Sequence, residues 1–189
     1  MRATPRVYFA CFLSILLLTA CSGSNGSGTA GVSSSGSGQL QVNLTDAPLD
    51  MSTVSSVNVA IDGVIVYGAM LNDGSTPPPI QLMTHPATFD LLTLTGGATD
   101  LLASGEVPAG MYNRIRLEIA SATMDMTDGT TETLKIDSDK VDIPIPFEVA
   151  VDETMTITLD FQADASIQVN QTGNSKYILR PVVTPVYGN

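Results

Sequence analysis

The run Met111-Tyr112-Asn113-Arg114-Ile115-Arg116-Leu117-Glu118-Ile119 alternates apolar and polar residues. Side chains on an extended chain point to opposite faces with a period of two, so this pattern suits a strand with one face buried and one face wet. Met111, Asn113, Ile115, Leu117 and Ile119 are expected on one face, with Arg114, Arg116 and Glu118 on the other and cross-strand acids opposite the arginines. The same alternation recurs at Leu40, Val42 and Leu44, at Val57, Val59 and Ile61, and at Met155, Ile157, Leu159 and Phe161. After Gly63 the pattern resumes out of phase at Val64 and Val66, which predicts a bulge there. A last strand is expected over Tyr177–Val183, with Pro181 at an edge or a strand end.

Turn signals separate these runs: Asp46-Ala47-Pro48, Asn72-Asp73-Gly74, Gly96-Gly97, Pro108-Ala109-Gly110, Asp128-Gly129 and Gly173-Asn174. Few segments carry a long helical period. Many short strands with frequent turns predict an all-β fold, a β-sandwich or barrel, with an antiparallel β-sandwich of the immunoglobulin or prealbumin kind as the form expected. Asp46 is placed to cap its turn through the carboxylate. Tyr112, just after the Pro-Ala-Gly turn, is placed to pin a nearby loop through its hydroxyl, as a tyrosine corner does. Gly68–Thr88 holds Pro77-Pro78-Pro79 and the single histidine, His85, and reads as a mobile surface excursion.

The N-terminal segment has a different character. Arg2 and Arg6 precede the apolar run Val7–Leu18, too short to span a bilayer comfortably, and Leu18-Thr19-Ala20-Cys21 follows directly. An aliphatic residue, two small residues and then cysteine form the lipobox pattern. Residues 1–20 therefore read as a lipoprotein signal peptide, with Cys21 receiving the lipid after cleavage. More than one acyl chain gives stable attachment. Ser22 in place of an aspartate favours the outer membrane over the inner one, within the cell envelope. Residues 21–38, the lipidated cysteine and a Ser/Gly-rich stretch, read as a flexible tether spanning roughly 20–25 Å. Residues 39–189 supply one domain.

Removing residues 1–20 takes away two arginines and no acid, leaving six basic and 19 acidic side chains and a formal charge of −13. Such a surface repels nucleic acid and anionic lipid, so neither is expected as a direct partner. Cys11 leaves with the signal and Cys21 is lipidated, so no thiol remains for disulfides, redox chemistry or thiolate metal sites.

Catalytic constellations are hard to find. His85 sits in a loose loop, no serine occupies a Gly-x-Ser-x-Gly elbow, and no zinc spacing or phosphate loop is present. Paired carboxylates for a hydrolase are possible in principle among 19 acids, but the absence of Trp removes the usual sugar-stacking platform. Calcium is the one cofactor suggested. Asp125, Asp128 and Glu132 form one acidic cluster and Asp137, Asp139 and Asp142 another, although neither has EF-hand spacing and solvated turn acids explain both. Three functions stay open: a non-catalytic binding or structural module for an envelope protein or extracellular ligand, a calcium-stabilised adhesion-type domain, and a hydrolase with an unrecognised carboxylate site.

Three blocks resemble a known family when taken in order. They are Leu44-Thr45-Asp46-Ala47-Pro48 with Asp50; Asp90-Leu91-Leu92-Thr93-Leu94 with Gly97, followed by Pro108-Ala109-Gly110-Met111-Tyr112 and Ile115-Arg116-Leu117; and Leu159-Asp160-Phe161 with Ala165-Ser166-Ile167 and Lys176-Tyr177-Ile178-Leu179-Arg180-Pro181. Together they resemble the bacterial domain-of-unknown-function family 4382 over residues 39–186. The resemblance implies an exported lipoprotein with a β-rich, sandwich-like domain; it carries no established activity and no catalytic residues to transfer. The family often shows Asp-Phe-Asp where this chain has Asp160-Phe161-Gln162, so an acidic pair there would be incomplete.

Overall fold

The computed structural model describes residues 36–46, 52–83, 85–169 and 176–186. The alternating runs become strands as the period-two pattern requires. They are β1 (Ser37–Thr45), β2 (Val54–Gly68), β3 (Ile80–Gln81), β4 (Ala87–Asp90), β5 (Asp100–Pro108), β6 (Gly110–Met126), β7 (Thr131–Thr133), β8 (Lys135–Ile136), β9 (Lys140–Val149), β10 (Thr154–Phe161), β11 (Ile167–Val169), β12 (Tyr177–Leu179) and β13 (Val183–Val186). A 3-10 turn at Leu91–Leu94 and a four-residue helix, α1 (Ala163–Ser166), are the helical pieces among the described residues.

Two main sheets carry the fold. One has the order β13-β10-β1-β5; the other runs β3-β2-β6-β7, with β4 beside β2 and β9 beside β6. A small third sheet is ordered β11-β12-β8. Leu40, Val42, Leu44, Ile157, Leu159 and Phe161 from the first sheet join Val57, Val59, Ile61, Ile115, Leu117 and Ile119 from the second in one buried cluster. The all-β, sandwich-like expectation holds. Most pairings are antiparallel, but β1 runs parallel to β10, and β12 parallel to β8.

The predicted bulge is present. The β2–β6 register shifts on both sides of Ile61, moving the buried set from Val57, Val59 and Ile61 to Val64 and Val66. A second bulge was not legible in the alternation: the β6–β9 register shifts between Tyr112 and Arg114. Tyr112 therefore faces the core, while Met111 and Asn113, expected beside Ile115, are exposed. The expected last strand is also divided. β12 ends at Leu179 and β13 begins at Val183, and the two join different sheets. Pro181 lies in the break, where a residue without an N–H costs no ladder bond.

Residues 68–88 are less loose than their composition suggests. Ile80 and Gln81 pair with Val66 and Ile65, and Leu82 and Met83 are buried. The structured part of the domain also begins before Gln39. Gly36 accepts a hydrogen bond from Ala109 N at 2.9 Å, and β1 starts at Ser37. A Cβ on Gly38 would overlap the Ala150 carbonyl oxygen, so this residue of the Ser/Gly stretch is a packing requirement.

Candidate functional site

The densest polar arrangement lies on the outer face of the β2–β6–β9 sheet. Alternation on β6 sends Ile115 and Leu117 into the core and leaves Arg114 and Arg116 outside. Arg116 sits opposite Asp142 of β9 and makes a two-pronged contact: Nε donates to Asp142 Oδ1 at 2.9 Å and Nη2 to Oδ2 at 2.8 Å. Arg114 Nε lies 3.6 Å from the same carboxylate, and its guanidinium sits 3.8 Å from the centre of the Tyr67 ring. Arg116 lies 5.4 Å from that ring. Lys140 and Glu118, paired across β6 and β9, lie 3.5 Å apart. The Arg116 hydrogen bond, then the charges of both arginines, hold the Asp142 carboxyl below its usual range, and the same bond raises the Arg116 guanidinium. The group ties three strands together and presents planar cations able to meet a carboxylate or phosphate.

Most of the acids considered for calcium are engaged by partners within the domain. Asp125 accepts from the Ser56 and Thr131 hydroxyls, each at 2.6 Å, and from Asn58 Nδ2 at 3.2 Å. Asp128 closes its own turn, accepting from Thr130 N at 2.9 Å and Thr130 Oγ1 at 2.7 Å, with Gly129 at φ 86°. These bonds hold both carboxyls below their usual range, that of Asp125 chiefly through Ser56 and that of Asp128 through the Thr130 hydroxyl. Glu132 lies 3.9 Å from Lys176. Asp137 accepts from Arg180 Nε at 2.7 Å and lies 3.7 Å from Lys135, and the Arg180 bond is the main cause of its lowered pKa. Asp139 uses its backbone carbonyl to accept from Ile119 N at 2.7 Å. Asp142 is committed to Arg116. The structure therefore places Asp125, Asp128 and Glu132 around the β6–β7 turn, Asp137 beside Arg180 and Lys135, and Asp142 on β9. Among the described residues, no three His, Cys, Asp or Glu side chains are grouped to hold a metal ion. Cys21 lies outside the described residues.

One structural expectation has a clear outcome. The Tyr112 hydroxyl donates to the Pro108 carbonyl at 2.7 Å, pinning the turn as expected, and its ring stacks on Phe147 at 5.1 Å. Burial raises the Tyr112 pKa. Asp46 is buried and reaches much further than its own turn: Oδ1 accepts from Ala163 N at 2.9 Å, 117 residues away. Residues 47–51 lie outside the described set, so that turn is not described. Asp90, which opens one of the sequence blocks, has a role that the sequence does not assign. Its Oδ1 accepts from Val57 N at 3.1 Å and Leu92 N at 3.2 Å, capping the 3-10 turn and joining it to β2. The signal was the Asp-Leu-Leu-Thr-Leu order, an acid just ahead of a turn whose first N–H groups need acceptors. Buried Ser166 accepts from Val182 N at 2.8 Å. Gln162 donates to Thr184 Oγ1 at 3.1 Å.

A depression of about 310 Å³ lies where β1 begins, bordered by Ser37, Gln39, Glu106, Asp152, Glu153 and Thr154. Residues 37–181 match the protein family described as a domain of unknown function, DUF4382. The chain belongs to this family. The match to DUF4382 starts at the first residue of β1 and stops two residues before β13. No curated protein and no solved structure matches the chain.

Proposed function

We propose that this DUF4382 protein is a lipoprotein of the cell envelope, held to a membrane by lipid on Cys21, whose sandwich is a non-catalytic binding or structural module. One observation carries the reading. The family span begins at residue 37, and all that precedes it has the order basic segment, apolar run, lipobox and Ser/Gly stretch. Such a segment delivers and tethers a domain without contributing to its core. The acids support the non-catalytic part. Asp125, Asp128, Asp137 and Asp142 each face hydroxyl, amide or cationic partners within the domain, the arrangement of structural carboxylates. Ser22 favours the outer membrane.

Expression with a labelled fatty acid tests the anchor. The intact chain takes up label and sediments with membranes, whereas Cys21→Ser loses both. Membrane retention of an unlabelled Cys21→Ser chain would overturn the proposal. Crosslinking the anchored protein in envelope preparations then identifies what the module binds.

A further inference from the structure

The place where the chain enters the sandwich is surrounded by apolar side chains that the core does not use. Gly36 accepts from Ala109 N, and Val151 packs against Gly36. Two residues beyond Ala109, Met111 accepts through its carbonyl from Ala69 N at 2.8 Å, which brings the Ala69–Leu71 loop to the same end. The register agrees: Gly68 pairs with Tyr112, Gly110 with Val149, and Ser37 with Pro108. Four large apolar side chains project from this end, with Met70 70% exposed, Met111 54%, Leu71 52% and Val151 44%. Half of the eight exposed large apolar residues among those described are therefore found around the entry point of one chain segment.

Just behind this rim stands an amphipathic pair. Tyr67 lies two residues before Ala69, with the Arg114 guanidinium stacked on its ring and Arg116 beyond. Tyrosine and arginine carry apolar bodies with polar tips and settle at the boundary between acyl chains and headgroups. Acids also lie at this end, namely Asp73, Glu106, Glu148, Asp152 and Glu153. They disfavour an anionic surface and leave a neutral, zwitterionic one acceptable.

We infer that this end of the sandwich docks on the lipid bilayer that carries the protein, with Met70, Leu71, Met111 and Val151 entering the interface. The inference rests on lipid attachment at Cys21. Fourteen residues separate Cys21 from Gly36. At the stretch expected of Ser/Gly sequence they cover roughly 20 Å root-mean-square, which keeps the rim at high effective concentration beside the lipid. A weak apolar contact is then sufficient, because the acyl chains already supply the attachment.

The chain has no tryptophan, so a single introduced one reports without background. The full-length acylated protein is placed in phosphatidylethanolamine–phosphatidylcholine vesicles containing brominated acyl chains. Met70→Trp is compared with Leu101→Trp, an exposed position that pairs with Asn43 near the far end of β1. The expected result is quenched, blue-shifted emission from Met70→Trp and unchanged emission from Leu101→Trp. Adding Leu71→Ser and Met111→Ser to Met70→Trp reduces the quenching, and so does replacing part of the lipid with phosphatidylglycerol. Equal quenching at both positions overturns the inference. So does absence of quenching while mass spectrometry shows acyl chains on Cys21, a result that leaves the anchor standing. Acyl chains missing from Cys21 remove both readings. Emission from Met70→Trp that shifts with an envelope protein fraction and not with lipid assigns the rim to a protein and overturns lipid docking.

Discussion

At the end where β1 begins, backbone meets backbone. Gln39 N donates to Glu153 O at 2.8 Å, Asp152 N to Ser37 O at 2.9 Å and Ala109 N to Gly36 O at 2.9 Å. At the other end backbone bonds such as Thr127 N to Thr53 O at 2.9 Å are joined by carboxylates: Asp46 holds Ala163 N, Asp90 holds Val57 N and Leu92 N, and Asp128 holds Thr130 N. Backbone-to-backbone closure demands small residues, which is why Gly36 and Gly38 stand there. Carboxylate closure demands acids in loops, and Asp46, Asp90 and Asp128 supply them there. The entry end carries Met70, Leu71, Met111 and Val151 outside, while the far end ties carboxylates to its own backbone.

Substitutions at each end sharpen this contrast. Gly38→Ala forces a methyl into the Ala150 carbonyl and should cost about 3 kcal/mol in a denaturant melt. A neutral result would show that the entry end is loosely closed. Asp46→Ala strands the Ala163 N–H in a buried place and should cost about 2 kcal/mol. Tyr112→Phe, which removes only the bond to Pro108, should cost about 1 kcal/mol, with the stack on Phe147 intact. Acid titration probes the carboxylates as a group. Asp125, Asp128, Asp137 and Asp142 are held below their usual range, so their contribution is present above about pH 4 and is lost as pH falls through their lowered values. The melting temperature should fall across that acid window, and Asp142→Asn should make the fall shallower. The smallest effect is expected from calcium. With their oxygens engaged, these acids should give no saturable rise in melting temperature as calcium is added, and a saturable rise would break the account of the far end.

The alternation made the strand set and the buried face legible, because a half-buried strand must write its period into the sequence. The phase change at Gly63 announced one bulge. The bulge at Asn113 left no such mark, because Met111 and Asn113 continue the apolar–polar rhythm while the backbone turns Tyr112 inward. Long-range partners were the least legible. Asp46 also holds Ala163 N, and nothing in its sequence neighbours points to that partner. The acidic clusters of residues 125–132 and 137–142 were visible as composition. Their partners Ser56, Arg180, Lys176 and Arg116 come from elsewhere in the chain, and only the register brings them together.

The parallel pairing of β1 with β10 has a kinetic consequence. Gln39 waits for Thr154 and Leu44 for Leu159, so the first strand to leave the ribosome sits at the centre of a sheet whose other half is made more than a hundred residues later. Contacts so distant along the chain place folding in the slow regime of about milliseconds to seconds. Until then β5 is the sheet neighbour available to β1, and the sheet cannot close around it.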